Sequence, residues 1–217
     1  MSEGTDLEFF LDPVCPWCWI TSRWVCEVQR QRDYDVRWRF ISLRFLNEEG
    51  FDYPSEEYRQ VHHLGTKLMR VADEVDRRHG NDALGRAYTA FGTAIHVDRR
   101  RDEALADPRA FAASCLASAG LDGADVDELA AHVDDESHDE HLRAETKEAL
   151  ERTGPDVGTP ILTFVPGTER EGSFFGPVIA KAPRGDEASR LWDAVETLAT
   201  TGVAELKRSL RGRPEFD

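Results

Sequence analysis

The chain has 217 residues, 40% of them hydrophobic and 32% charged, which is enough for an ordinary globular protein with a real core and excludes a peptide-like scaffold or a disordered tail. Its 27 Lys and Arg stand against 42 Asp and Glu, a formal net charge of -15 that repels phosphate backbones and anionic lipid headgroups. No nucleic acid and no membrane is therefore expected among its partners.

The N-terminal stretch Met1 to Glu8 lacks the basic and apolar runs of a secretory signal, and no window approaches 18 uninterrupted apolar residues. Four cysteines without an export signal point to reduced thiols and a cytoplasmic location. Leu7 to Leu11 is a short apolar run ended by Asp12-Pro13 and reads as a buried strand. Cys15-Pro16-Trp17-Cys18 then opens a helical pattern of Trp19, Ile20, Trp24, Val25 and Val28, with Pro16 at the first helical position and Cys15 at the N-cap. Asp35 to Ile41 alternates Val36, Trp38 and Phe40 with Arg37 and Arg39, which is strand periodicity, so the first segment predicts a βαβ unit.

Residues 55–153 change character. Tyr58, Val61, Leu64, Leu68, Val71 or Ala72, and Val75 recur at helical spacing up to a stop at Gly80. Further helices are expected from Ala83 to His96, after a cap at Asp107-Pro108, and over two acidic stretches ending at Gly154. Ile161 to Val165 and Ser173 to Pro177 then read as a hairpin, and Asp186 to about Thr200 as a closing helix. The expected fold is α/β, a thioredoxin-like core over residues 1–54 and 154–217 with an inserted all-helical subdomain over 55–153.

The chemistry is carried by the dithiol. The unpaired N–H groups and positive end of a helix stabilise a thiolate at its N-cap, which makes Cys15 the expected nucleophile. Cys18, one turn on, can displace a mixed disulfide at Cys15 and is the expected resolving thiol. Trp17 places a flat apolar face beside the sulfur, suited to an aromatic or amphipathic substrate. The competing reading, half of a zinc site, lacks a second CxxC. Cys26 lies about 12 Å along the helix from Cys18, beyond the ~7 Å that a bridge spans, and Cys115 sits on an apolar stripe as a structural thiol.

Gly158-Thr159-Pro160 precedes the third strand, where a proline can be cis. With Pro160 cis and against Cys15, Thr159 would offer its backbone N–H and C=O as a rail for an extended substrate. His62, His63, His79, His138 and His141 form no recognisable metal pattern, and the acidic stretch around Asp134 to Glu140 reads as a solvated face, so no metal is assigned. Neither GxGxxG nor a Walker motif occurs, so no nucleotide is expected.

The run from Phe10 to Trp24, FLDPVCPWCWITSRW, resembles the active-site segment of DsbA-like thioredoxin-fold proteins, specifically the actinobacterial mycothiol-dependent nitroreductase family. Ile41 to Asn47, Asp156 to Pro160, Phe174 to Val178, Pro183 to Ala194 and Glu205 to Arg208 are similar to that family too. The resemblance implies a cytosolic reductase whose Cys15–Cys18 pair is kept reduced by mycothiol, with a mycoredoxin relay, a helical lid and a homodimer. It also implies that Asn47 and Tyr58 shape the substrate pocket beside Pro16 and Trp17. His96 reads either as a packed side chain or as one facing the cysteines.

The expected function is thus thiol-disulfide oxidoreductase, with mycothiol as thiol co-substrate and nitroaromatic-type small molecules or disulfides as substrate. The alternatives are a general protein disulfide oxidoreductase or isomerase, a non-redox DsbA-like isomerase or transferase using a thiol cofactor, and a redox-controlled interaction module.

Overall fold

The computed structural model describes residues 5–48, 52–121, 124–208 and 210–216. The first four residues of the N-terminal stretch used above lie outside them. In chain order the elements are β1 (Leu7–Leu11), α1 (Pro16–Gln29), β2 (Val36–Phe40), α2 (Leu43–Leu46), α3 (Glu56–His79), α4 (Asn81–Gly92), α5 (Arg101–Ala106), α6 (Pro108–Ser118), α7 (Ala124–Ala130), α8 (Asp139–Thr153), β3 (Ile161–Phe164), β4 (Gly172–Phe175) and α9 (Gly185–Thr200). Two compact units result, one made of residues 1–11, 16–39 and 148–217 and the other of residues 12–15 and 40–147. The boundaries fall at the end of β2 and inside α8.

The first unit is built on a four-stranded sheet of order β2-β1-β3-β4. β1 runs antiparallel to β3 with Phe10 opposite Ile161, and β3 antiparallel to β4 with Ile161 opposite Phe175. Every residue of β1 and β3 is buried, the polar Glu8 and Thr163 included, as in strands covered on both faces. Trp192 of α9 is the packing centre, its ring 5.5 Å from Trp24 of α1, 5.3 Å from Phe164 of β3 and 4.6 Å from Tyr34. Trp24 satisfies its indole N–H by donating to the carbonyl of Ala188 at 2.9 Å, as a buried indole must.

Burial on both faces has a consequence that strand alternation does not reveal. Arg39 is only 7% exposed, so it does not share the solvent face of Arg37. Its guanidinium lies 3.3 Å from Glu8 and 2.5 Å from Glu148, and Arg152 reaches Glu8 at 2.5 Å. The Arg39 guanidinium holds the Glu148 carboxyl down to about 2.

The second unit is helical. Ser55 caps α3 by accepting from the Tyr58 N–H at 3.1 Å, and Gly80 ends it with φ of 81°, a conformation that favours glycine. Asp107 caps α6, with Pro108 at its first position. Leu68, Val75, Leu84, Phe91, Phe111 and Leu129 form its core. The predicted helix from Ala83 to His96 departs from the pattern at its end: α4 stops at Gly92, and Thr93–Val97 widens into a π-helical turn in which Asp98 N–H donates to the Thr93 carbonyl. π turns inserted in α-helices recur at functional positions, and His96 sits on this one.

Candidate active site

The chain leaves β1 through Asp12-Pro13-Val14-Cys15, a turn that belongs to the helical unit. Asp12 is completely buried, and its carboxylate accepts from the N–H of Val14 at 3.0 Å and of Leu43 at 2.8 Å. Its carbonyl accepts from the Cys15 N–H at 3.1 Å. Burial drives the Asp12 carboxyl up to about 7, although both N–H donors pull it the other way. Gly65 of α3 lets the helix approach this turn: a Cβ there would lie 2.6 Å from Asp12 Oδ1 and 2.8 Å from Val14 Cγ2.

His96 reaches the same turn. Its Nε2 lies 2.9 Å from the carbonyl oxygen of Pro13, and since a carbonyl only accepts, Nε2 carries the proton. Burial pushes the imidazole down to about 4, so it is neutral near pH 7. Of the residues singled out in the sequence, the structure therefore brings His96 to the segment that carries Cys15. Asn47 ends α2 and donates its side-chain amide to the Leu43 carbonyl at 2.7 Å. Tyr58 is 45% exposed, its ring 4.6 Å from His62 and 6.3 Å from Tyr53.

In the sheet unit, Pro16 is the first residue of α1, so Cys15 stands directly before the helix and Cys18 in its first turn. Both cysteines are buried and are not bonded to one another. Cys18 Sγ lies 4.0 Å from the Phe10 carbonyl, and Phe10 pairs with Ile161. The residue before Ile161 is Pro160, which is cis to Thr159. Cys18 and the cis-proline thus lie at the same end of the β1–β3 pair. The Pro160 carbonyl accepts from the Gly176 N–H at 2.9 Å, and Thr159 is buried. Trp17 is half-buried, with the Arg211 guanidinium 5.8 Å from its ring centroid.

Cys26 is half-buried, while Cys115 is buried and its thiol is pushed up to about 11 by desolvation. A thiol so far from ionising is inert as a nucleophile. Sequence reasoning missed Asp12, Gly65 and Arg211. Asp12 reads as a turn residue before proline, and nothing local announces its burial. Gly65 gives only the signal of a glycine inside a long helical pattern, which marks a close approach. Arg211 has no signal at all.

Thiol-disulfide exchange is the chemistry that a two-residue-spaced dithiol at a helix start carries, and the protein is a thiol-disulfide oxidoreductase. Its family is fixed by comparison: residues 14–208 match the Rv2466c-like family, described as mycothiol-dependent nitroreductase Rv2466c, and the chain belongs to that family. It is 32% identical over 206 residues to the uncharacterized protein Rv2286c of Mycobacterium tuberculosis (strain ATCC 25618 / H37Rv), covering 94% of this chain and 82% of that one. Among solved structures it is similar to the cytosolic disulfide reductase DsbM from Pseudomonas aeruginosa with GSH, at TM-score 0.57 and 16% identity over 87% of this chain and 98% of that one. It is also similar to a candidate protein disulfide isomerase from Nitrosomonas europaea, at TM-score 0.59 and 15% identity over 90% and 98%. These likenesses show the thioredoxin-type fold. Among the described residues, no helix is long and apolar enough to cross a membrane.

Proposed function

We propose that the protein is a mycothiol-dependent reductase that acts in the cytoplasm on electrophilic, nitroaromatic-type small molecules or on small disulfides. The observation that carries this reading is the position of Cys15 immediately before α1 with Cys18 in its first turn, in a chain of the mycothiol-dependent nitroreductase family. The Cys15 thiolate attacks a disulfide RSSR, forming Cys15–S–SR and releasing RS⁻. The Cys18 thiolate then displaces the second RS⁻ and closes the Cys15–Cys18 disulfide. With a nitro substrate the dithiol supplies two electrons and two protons, giving the nitroso compound, water and the same disulfide. Two mycothiol thiols restore the dithiol and leave as mycothiol disulfide, directly or through a mycoredoxin.

Thr159 offers its backbone to the substrate beside cis-Pro160, and Pro16 and Trp17 supply an apolar face. His96 holds the turn before Cys15; Asn47 and Tyr58 are taken as substrate-pocket residues on the family resemblance, and the protein as a homodimer. The test is a comparison of initial rates with mycothiol, glutathione and a synthetic dithiol, each on a nitroaromatic and on a protein disulfide. Turnover of the nitroaromatic that requires mycothiol supports the reading. Equal rates with all three reductants, or preference for the protein disulfide, would replace it with a general protein disulfide reductase.

A further inference from the structure

Among the described residues, a cluster of titratable side chains inside the helical unit has no part in the dithiol reading. Asp73 and Glu74 are consecutive on α3, and His132 and His138 come from two single-turn 3-10 segments, Ala131–Asp134 and Glu136–His138, with Asp135 between them. The Nδ1 of His132 and the Nε2 of His138 face each other at 2.9 Å. Glu74 lies 4.0 Å from His138 Nε2, and Asp135 lies 3.2 Å from His132 Nδ1 and 3.9 Å from His138 Nε2. One ligand atom each from Glu74, His132 and His138 falls within 4.8 Å of the other two.

The orientation of His138 is set from behind. Its Nδ1 is 2.6 Å from Asp73 Oδ2, and the other Asp73 oxygen is 2.8 Å from His141 Nδ1. A carboxylate only accepts, so His138 Nδ1 carries the proton and its Nε2 lone pair points at His132. Two ring nitrogens at that distance share a proton, or part slightly to admit a cation. We propose that Glu74, His132 and His138, with Asp135 at the mouth, form a site for one divalent transition-metal ion of the zinc class.

Three features favour the cation. A carboxylate behind a histidine, fixing its tautomer, is the usual support of a metal-ligating imidazole. Two nitrogens bound to one tetrahedral zinc at ~2.0–2.1 Å lie about 3.3 Å apart, so the pair opens by only a few tenths of an ångström to admit the ion. The field is also right: residues 121–151 hold 12 acidic and 2 basic side chains, a net of -10, while the other 186 residues carry -5. Imidazole nitrogen with carboxylate oxygen selects zinc, cobalt or nickel over calcium or magnesium. His138 and Asp73 form the buried floor, with side chains 1% and 3% exposed, and Asp135 at 41% leaves an entry.

Glu74 is shared with Arg78 at 2.6 Å and Arg77 at 3.4 Å, but both guanidiniums are surface groups with side chains 35% and 66% exposed and can yield the carboxylate. A bound ion pins residues 131–138 to α3 and stabilises the helical unit. The proposed site stands against the sequence expectation of a solvated acidic face without metal, and a cobalt titration decides between the two.

Cobalt(II) is the probe, titrated into the full reduced chain. One equivalent should bind with the visible bands of a tetrahedral ion and without a sulfur-to-cobalt charge-transfer band, and zinc should displace it. His132→Gln and Glu74→Gln should each weaken binding at least tenfold, and zinc should raise the melting temperature of the parent but not of these variants. Should His132→Gln fail to fold, the parent spectrum and Glu74→Gln still decide. The proposal is overturned if the parent shows no tetrahedral cobalt spectrum, if both variants bind as it does, or if the spectrum carries the sulfur band and vanishes in Cys15→Ser. None of these readouts depends on nitroreductase activity, so this site and the dithiol function stand or fall separately.

Discussion

His96 donates from Nε2 to the carbonyl oxygen of Pro13 at 2.9 Å, which ties the π turn after α4 to the segment that ends in Cys15. His96→Ala leaves that carbonyl without its donor and should cost about 1–3 kcal/mol of stability. It should also lower kcat with mycothiol by loosening the turn, and His96→Gln, which keeps an N–H donor, should recover part of both. The pH dependence has a definite sign. The folded imidazole takes its proton only near 4, whereas the unfolded one takes it at about 6.5. The unfolded state therefore binds more protons between these values, and this part of the stability is complete above about pH 6.5 and lost as pH falls towards 4. Denaturant unfolding of parent and His96→Gln across that window should show a shallower slope in the variant.

Asp12 has the opposite sign. Its carboxyl sits at about 7 in the folded state against an ordinary 3.8, so the folded state binds more protons between these values. Its contribution is fully present below about pH 3.8 and lost as pH rises through 7. The stability of the parent relative to Asp12→Asn should therefore decline across that interval, as measured by unfolding at a series of pH values. A constant difference would contradict the burial of a titrating carboxyl in the turn that leads to Cys15.

The close approach at Gly65 makes a steric prediction. Gly65→Ala places a Cβ 2.6 Å from Asp12 Oδ1 and 2.8 Å from Val14 Cγ2, so the turn or the helix must move. Overpacking of this kind costs about 1–3 kcal/mol. Thermal melting should show the loss, and activity should fall by more than melting predicts because the displaced segment carries the nucleophile.

In the sheet unit, Arg39 is buried between Glu8 and Glu148. Arg39→Met removes one partner from an otherwise matched set and should destabilise by about 3–5 kcal/mol. Adding Glu8→Gln to Arg39→Met should restore part of the loss, which a double-mutant cycle by chemical denaturation measures. Additive losses would show that the two side chains do not act as a pair.

These sites differ in how far the sequence discloses them. The start of α1 is readable because Pro16 at a first helical position, the following apolar spacing and the preceding Leu7–Leu11 run all agree. The ends of α3 and α6 are readable for the same reason, through Gly80 and Asp107-Pro108. Arg39 misleads because strand alternation reports two faces and not whether the second is covered. His96 falls where α4 widens into a π turn, and helical periodicity carries no sign of that change. Asp12 and the His132–His138 pair depend on partners 31 and 65 residues away, and only the folded chain brings those together.

The most direct test of the dithiol account is the trapping of its intermediate. Cys18→Ser, incubated with mycothiol disulfide and examined by intact mass and peptide mapping, should carry one mycothiol in mixed disulfide with Cys15 and none on Cys26 or Cys115. An unmodified Cys15, or an adduct on another cysteine, would contradict the assignment of Cys15 as nucleophile and Cys18 as resolving thiol.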